Sequence, residues 1–303
     1  MDEGRIGFIG LGRMGWPMAR HLVAGGHPLV VLDAAPDRAA AFAREGGAEV
    51  ASGPGALARR CTTVVTMLPD GAAVREVMLG GLAEAVGAGA VVVDMGSSDP
   101  AVYPELAAAL AARGAELVDA PVSGGVAGAE AATLTIMAGG APAALERIEP
   151  PLRLMGARIF RTGALGSGQA MKALNNLCSA GALILTVEAL LIGQRFGLDP
   201  ALMTEILNVS TGRSNATDKK IAPHVLSRRF DSGFALALMA KDLATALAIA
   251  EASATPTTLA PPTLQIVREA LAALGPGADH TEVARLLERR AGAVLGGAGD
   301  KPD

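Results

Sequence analysis

The sequence predicts an α/β chain, with a parallel sheet between helices in its first half and only helices in its second. Three observations predict it. Short apolar, β-branched runs alternate with Ala-rich, helix-compatible segments up to about residue 163. No strand-like run follows residue 166. A long helical pattern, 169–196, opens the second half, and Gly197 supplies its stop.

The strand-like runs are 5–10, 29–33, 62–68, 90–94, 116–120 and 134–138. Val64-Val65 and Val91-Val92-Val93 offer apolar side chains to both faces, as parallel strands covered on both sides require. Helix-compatible segments lie between them at 14–25, 37–46, 71–79, 100–113 and 142–155. After the long helix, further helical patterns cover 200–210, 236–254, 264–273 and 281–291. A length of 303 residues suits two domains. The expected division is 1–164, 165–295 and a Gly-rich flexible tail, 296–303.

Composition excludes several classes. Hydrophobic residues make up 50% and charged residues 18%, so most of the chain folds. Net charge is −4 and aromatics are only 3%, which argues against nucleic-acid partners. Cys61 and Cys178 cannot build a disulfide framework. The four histidines show no ligand spacing, so no metal site is expected. No G-x-S-x-G elbow is present for a Ser–His–Asp hydrolase. Mean hydropathy is +0.38. The most apolar stretch, between Lys172 and Glu188, is shorter than the ~20 residues a membrane span needs, so a core helix and no membrane partner are expected. Met1-Asp2-Glu3 lacks a basic leader, which points to the cytoplasm.

Gly10-Leu11-Gly12-Arg13-Met14-Gly15 matches G-x-G-x-x-G directly after a strand and at the start of a helix. Gly10 permits the tight turn, Gly12 lets the backbone approach a pyrophosphate, and Gly15 lets helix and strand pack closely. The helix N-terminus offers N–H groups and partial positive charge to the phosphates. Asp33 ends the next strand about 20 residues on, where a carboxylate accepts hydrogen bonds from ribose hydroxyls and repels a 2′-phosphate. Ala34 and Ala35 supply no arginine for such a phosphate, and Arg38 lies further on. These residues make 1–164 a Rossmann-type dinucleotide-binding domain with NAD favoured and NADP left open.

Lys172 stands near the start of the long helix, behind Gly166-Ser167-Gly168, with Asn176 four residues on and on the same face. An ammonium there can protonate a substrate oxygen, and the neutral amine can take that proton back. Spacing alone leaves equally open a lysine that merely snorkels from a core helix. Ser123-Gly124-Gly125 follows another strand, where N–H groups can cradle an anion, although a plain turn accounts for it as well. Asp94-Met95-Gly96-Ser97-Ser98 closes a strand in the same way, and Lys241-Asp242 alone reads as a surface pair.

Taken together, these segments resemble the β-hydroxyacid dehydrogenases of the 3-hydroxyisobutyrate dehydrogenase type. The resemblance spans residues 7–18, Met67-Leu68-Pro69, 119–125, 166–176 and Lys241-Asp242-Leu243, in the family's order. It implies a Rossmann domain, a long interdomain helix and an all-helical domain for substrate and oligomerisation. It implies Lys172 as catalytic acid/base, Asn176 as a substrate-positioning amide, and Ser123, Gly124 and Gly125 as binders of a small hydroxy-carboxylate substrate. It places Leu68, Pro69, Ser97 and Lys241 against the cofactor. The implied activity is NAD-dependent interconversion of a 3-hydroxy acid and its semialdehyde by a homodimer or homotetramer. The alternatives are an NADPH-linked semialdehyde reductase, such as one for tartronate semialdehyde, and a non-catalytic scaffold. Three departures stand out, the last two of which bear on substrate. Gly96-Ser97 stands where the family has Ser-Thr, Asn215-Ala216-Thr217 replaces a segment that often holds Trp, and Val122 replaces the arginine of sulfonate-using relatives. Imine-reductase relatives replace the lysine that Lys172 retains.

Overall fold

A computed structural model describes residues 4–296. The chain divides into two compact units, 1–172 and 173–303, and the division falls inside one long helix. Of the expected tail, 297–303 lie outside the described residues.

In the first unit, β1 (Ile6–Ile9) leads to α1 (Gly15–Ala24), β2 (Leu29–Leu32) to α2 (Pro36–Gly46), and β3 (Glu49–Val50) to α3 (Pro54–Ala58). Strand β4 (Thr63–Thr66) is followed by α4 (Gly71–Val77), a π-helical turn at Met78–Leu82 and the short α5 (Ala83–Ala85). Strand β5 (Val91–Asp94) precedes α6 (Tyr103–Ala111). Then come β6 (Glu116–Asp119), β7 (Val122–Ser123), α7 (Gly125–Glu130), β8 (Leu134–Gly139), α8 (Pro142–Arg153) and β9 (Gly156–Gly163). Local chemistry sets several starts. Asp70 caps α4 by accepting a bond from Ala73 N at 2.9 Å. Proline occupies the first turn of α2, α3 and α8, where its fixed φ suits a helix start.

The sheet order is β3-β2-β1-β4-β5-β6-β8-β7, with β9 on the far side of β8. Strands β3 to β6 in this path are parallel. Valines alternate between faces, as strand geometry demands. Val91 and Val93 join Phe8, Val31 and Met18 in one core layer. Val92 joins Val30, Val64 and Leu106 in the other. Helices therefore cover both faces.

The sheet is parallel from β3 through β6, as the sequence predicts, and changes direction beyond it. Strand β8 runs antiparallel to β6 and β7. Ten residues, 124–133, with the short α7 among them, separate β7 from β8. A parallel return needs a crossover of about a dozen residues or more. Strand β9 is an addition to the sequence reading. Its residues are mostly exposed, and Arg158 and Arg161 break the apolar signal. Arg161 pairs with Glu149 of α8 at 2.7 Å and with Glu146 at 3.7 Å.

The second unit holds most of α9 (Ser167–Phe196), then α10 (Pro200–Asn208), a π-helix at Thr217–Leu226, α11 (Leu236–Ala252), α12 (Ala260–Leu274) and α13 (Val283–Ala291). Among its described residues the only β pairing is an isolated bridge between Ala235 and Asp279. The helix at Thr217–Leu226 escaped the sequence reading because Pro223 interrupts it. Ser214 and Thr217 close its start through reciprocal side-chain and backbone bonds. By length and composition α9 could cross a membrane, yet half of its most apolar window is buried. Its inward residues Leu183, Val187 and Leu190 sit in one core with Ile221, Leu243, Val267 and Leu287. That is how a core helix behaves.

Candidate active site

Strand order reverses between β1 and β4, and the carboxyl ends of β1, β4, β5 and β6 share one edge of the sheet. In open α/β sheets the ligand crevice lies outside that edge. Gly10 follows β1 there, Leu68 and Pro69 follow β4, and Ser97 follows β5.

The glycine-rich turn between β1 and α1 has three distinct constraints. Gly10 has φ +97°, and a Cβ there would lie 2.4 Å from Met67 O. A Cβ on Gly15 would lie 1.9 Å from Gly10 O. A Cβ on Gly12 would meet no atom within 4 Å, so the space beside it is open. Helix α1 starts without a side-chain cap, and its first turn holds no acidic residue. Its N–H dipoles are left for an anion. A pyrophosphate fits this cradle, with Leu11, Arg13 and Met14 completing the turn.

Asp33 ties the turn to the end of β2. Its carboxylate accepts bonds from Leu11 N at 2.7 Å and Ala35 N at 2.8 Å. Arg38, placed by the sequence only as further along, pairs with Asp33 at 3.2 Å. The end of β2 therefore carries a carboxylate with an arginine beside it.

Beneath the β4 and β5 ends lies a buried polar network. Asp94, fully buried, accepts from Thr66 Oγ1 (3.0 Å), Gly96 N (3.1 Å), Ser98 Oγ (2.7 Å) and Tyr103 OH (2.8 Å). Burial, with the Asp94 charge next to it, pushes the Tyr103 phenol well above its usual range. Asp119, fully buried at the end of β6, accepts from Gly166 N at 2.7 Å and Gln169 N at 2.8 Å. Burial raises its carboxyl to about 6, against those two backbone bonds. Asp119 thus fastens the first turn of α9 to the sheet.

Lys172 lies one turn further along α9 and is half-buried. Ser123 ends β7, and Gly124 and Gly125, both with positive φ, stand exposed beyond it. In the second unit, Asn176 is buried and donates from Nδ2 to Asp242 Oδ2 at 2.5 Å. Lys241 Nζ lies 3.2 Å from the other oxygen of Asp242. Lys241-Asp242 is therefore no surface pair, since Asp242 is only 2% exposed. Among the described residues no cluster of three or more His, Cys, Asp or Glu side chains could hold a metal.

Residues 5–163 match the family model for the NAD-binding domain of 6-phosphogluconate dehydrogenase. Residues 166–287 match that for the NAD-binding region of NADP-dependent 3-hydroxyisobutyrate dehydrogenase. The mitochondrial 3-hydroxyisobutyrate dehydrogenase of Rattus norvegicus is 40% identical over 271 residues, 87% of this chain and 81% of that one. The chain belongs to the β-hydroxyacid dehydrogenase family. This β-hydroxyacid dehydrogenase is similar over nearly its whole length to the 2-(hydroxymethyl)glutarate dehydrogenase of Eubacterium barkeri, with 38% identity, 97% of this chain and 98% of that one. Among solved structures it resembles the 3-hydroxyisobutyrate dehydrogenase of Mycobacterium tuberculosis with L-serine, at TM-score 0.86 and 32% identity, covering 94% and 99% of the two chains. It is an NAD(P)-dependent oxidoreductase acting on a CH–OH group.

The structure also accounts for one departure of this β-hydroxyacid dehydrogenase from the family pattern. A Cβ on Gly96 would lie 2.5 Å from Leu68 O. The loops after β4 and β5 approach too closely here for a serine. Sequence reasoning missed the roles of Asp94, Ser98, Tyr103 and Gln169. The available signal was Asp94 itself, a charge closing an otherwise wholly apolar strand.

Proposed function

We propose that this enzyme uses NAD to oxidise a small 3-hydroxy acid to its semialdehyde, with Lys172 as general acid/base. The observation that carries the reading is the anchoring of the first turn of α9. Asp119 holds Gly166 N and Gln169 N, so Lys172 projects from a helix end fixed to the cofactor edge of the sheet. Bound at that edge, nicotinamide supplies the hydride acceptor. Lys172, as the neutral amine, takes the hydroxyl proton during oxidation and returns it during reduction. The Ser123–Gly125 loop receives the substrate carboxylate, and Asn176, held by Asp242, presents an amide to the substrate. Leu68, Pro69 and Ser97 line the cofactor side, and Lys241 serves the cofactor. Asp33 favours NAD over NADP.

The names of two relatives support the substrate class. 3-Hydroxyisobutyrate and 2-(hydroxymethyl)glutarate both carry a primary alcohol on the carbon next to the one bearing a carboxylate. The test is reduction of NAD and NADP by the purified protein with 3-hydroxyisobutyrate, 3-hydroxypropionate, glycerate, serine and threonate. NAD-linked turnover is expected, with kcat/KM at least about tenfold above that with NADP, a gap of one or two ionic hydrogen bonds. The reverse preference favours the NADPH-linked semialdehyde reductase. Silence across the panel, with NAD still bound, favours the scaffold.

We also propose that the enzyme is a homodimer or homotetramer. Cys178, Ala182, Leu185, Ala189, Ile192 and Phe196 recur on α9 at alternating spacings of four and three, the pattern of helices that pair. Leu185, Ile192 and Phe196 are 68%, 71% and 86% exposed. Leu185→Asp is expected to shift sedimentation toward monomer. An unchanged oligomer would remove this face from the interface.

A further inference from the structure

The clamp on the start of α9 has a second arm that points at the cofactor loop. Gln169 is 1% exposed. Its Oε1 accepts from Ser98 N at 3.0 Å, and its Nε2 donates to Gly96 O at 2.9 Å. The two bonds straddle Ser97. On its other side the same loop is held by Asp94, through Gly96 N and Ser98 Oγ. The backbone N of Gln169 itself donates to Asp119 at 2.8 Å. A Cβ on the neighbouring Gly168 would lie 2.2 Å from Met137 O, so this turn sits directly on the sheet end.

We infer that Gln169 is a positioning residue for hydride and proton transfer, setting the distance between the Ser97 loop and Lys172. Lys172 follows Gln169 by three residues in one continuous helix, a rigid step of about 4.5 Å along the axis. The amide therefore links two parts that must stay in register, the loop lining the cofactor and the turn bearing the proton-transfer group. Removing it leaves Ser98 N and Gly96 O unmatched in a buried place, and the loop shifts to recover partners. A glutamine does this where a carboxylate or a lysine could not, because one group must accept and the other donate. The inference rests on Lys172 as acid/base.

The test compares the parent with Gln169→Met, Gln169→Leu, Gln169→Glu and Lys172→Ala, with turnover of 3-hydroxyisobutyrate and of its form deuterated at the carbinol carbon read with NAD, and binding read with NADH. Gln169→Met keeps the length of the side chain and loses both bonds. Its kcat is expected to fall about 10–100-fold, the cost of a misplacement near 1 Å. KM for 3-hydroxyisobutyrate should change little, and the deuterium isotope effect on kcat should rise as chemistry becomes limiting. NADH affinity, read by fluorescence without turnover, should weaken about threefold to tenfold, the share of one or two hydrogen bonds. Gln169→Glu keeps the acceptor for Ser98 N but sets a buried carboxylate oxygen against Gly96 O, so it should fall at least as far as Gln169→Met, and Gln169→Leu keeps the test open if Gln169→Met folds poorly. A Gln169→Met protein whose NADH affinity, kcat and isotope effect all match the parent overturns the inference. Lys172→Ala separates the two claims. Full turnover there removes the acid/base reading, whereas a dead Lys172→Ala beside an unaltered Gln169→Met removes only the positioning role.

Discussion

Lys172→Ala and Lys172→Met are expected to lower kcat by about 10²–10⁴-fold while NAD(P) binds as before, the loss typical of a missing general acid or base. The size follows from what the residue does and not from what it supports. Asp119 and Gln169 hold the start of α9 one turn earlier, so removing the lysine head leaves the helix in place. Lys172→Arg sharpens the test. A guanidinium keeps the positive charge but stays protonated, so it cannot accept a proton from a hydroxyl. If Lys172 acts only as a charge, Lys172→Arg oxidises the hydroxy acid nearly as fast as the parent. If it carries the proton, Lys172→Arg is nearly as inactive as Lys172→Ala. Steady-state rates beside a calorimetric titration of NAD decide between them.

Gly12→Val and Gly15→Val are expected to fail in opposite ways, though they lie three residues apart in one motif. No atom lies within 4 Å of a Cβ built on Gly12, and its φ is not in the left-handed region. Gly12→Val should therefore fold with a Tm close to that of the parent. Its methyl groups would occupy the approach that a pyrophosphate needs, and NAD(P) affinity should fall by about a hundredfold or more, as an N-terminal helix site without contact distance loses its anion. At Gly15 the Cβ would lie 1.9 Å from Gly10 O, so the helix must move off the strand. Gly15→Val should lose stability by about 3 kcal/mol, the upper end of the range for overpacked core sites. Thermal denaturation and NADH fluorescence titration report the two outcomes separately. Parent-like NADH affinity in Gly12→Val would show that phosphate does not lie against this turn.

How far the sequence carries depends on how local each constraint is. The glycine turn is legible because Gly10, Gly12 and Gly15 act within six residues between a strand and a helix. Strands β4 and β5 are legible because burial on both faces leaves β-branched residues, Val64-Val65 between two threonines and Val91-Val92-Val93. Strand β3 is too short, with two residues, to show a period. The reversal at β8 is invisible because it depends on where a six-residue helix can carry the chain. The site divides in the same way. Lys172 stands out as the one cation near the start of an apolar helix. Gln169 does not, because a glutamine near a helix start is commonplace until the fold takes it to 1% exposure. Asp94 stands out as a charge closing an apolar strand, but its partners, and those of Asp119, appear only when the sheet end closes over them.

Strand β9 and strand β3 bound the sheet, and neither offers a template for a further strand. Strand β3 presents two residues, and β9 carries Arg158 and Arg161 along its length, the latter held by Glu146 and Glu149. A strand from another molecule laid against β9 would trap those guanidinium groups against its own side chains. Main-chain pairing between copies is thereby discouraged at both ends. Any assembly of this enzyme is left to side-chain surfaces, which can dissociate and reform without the runaway growth that open sheet edges permit.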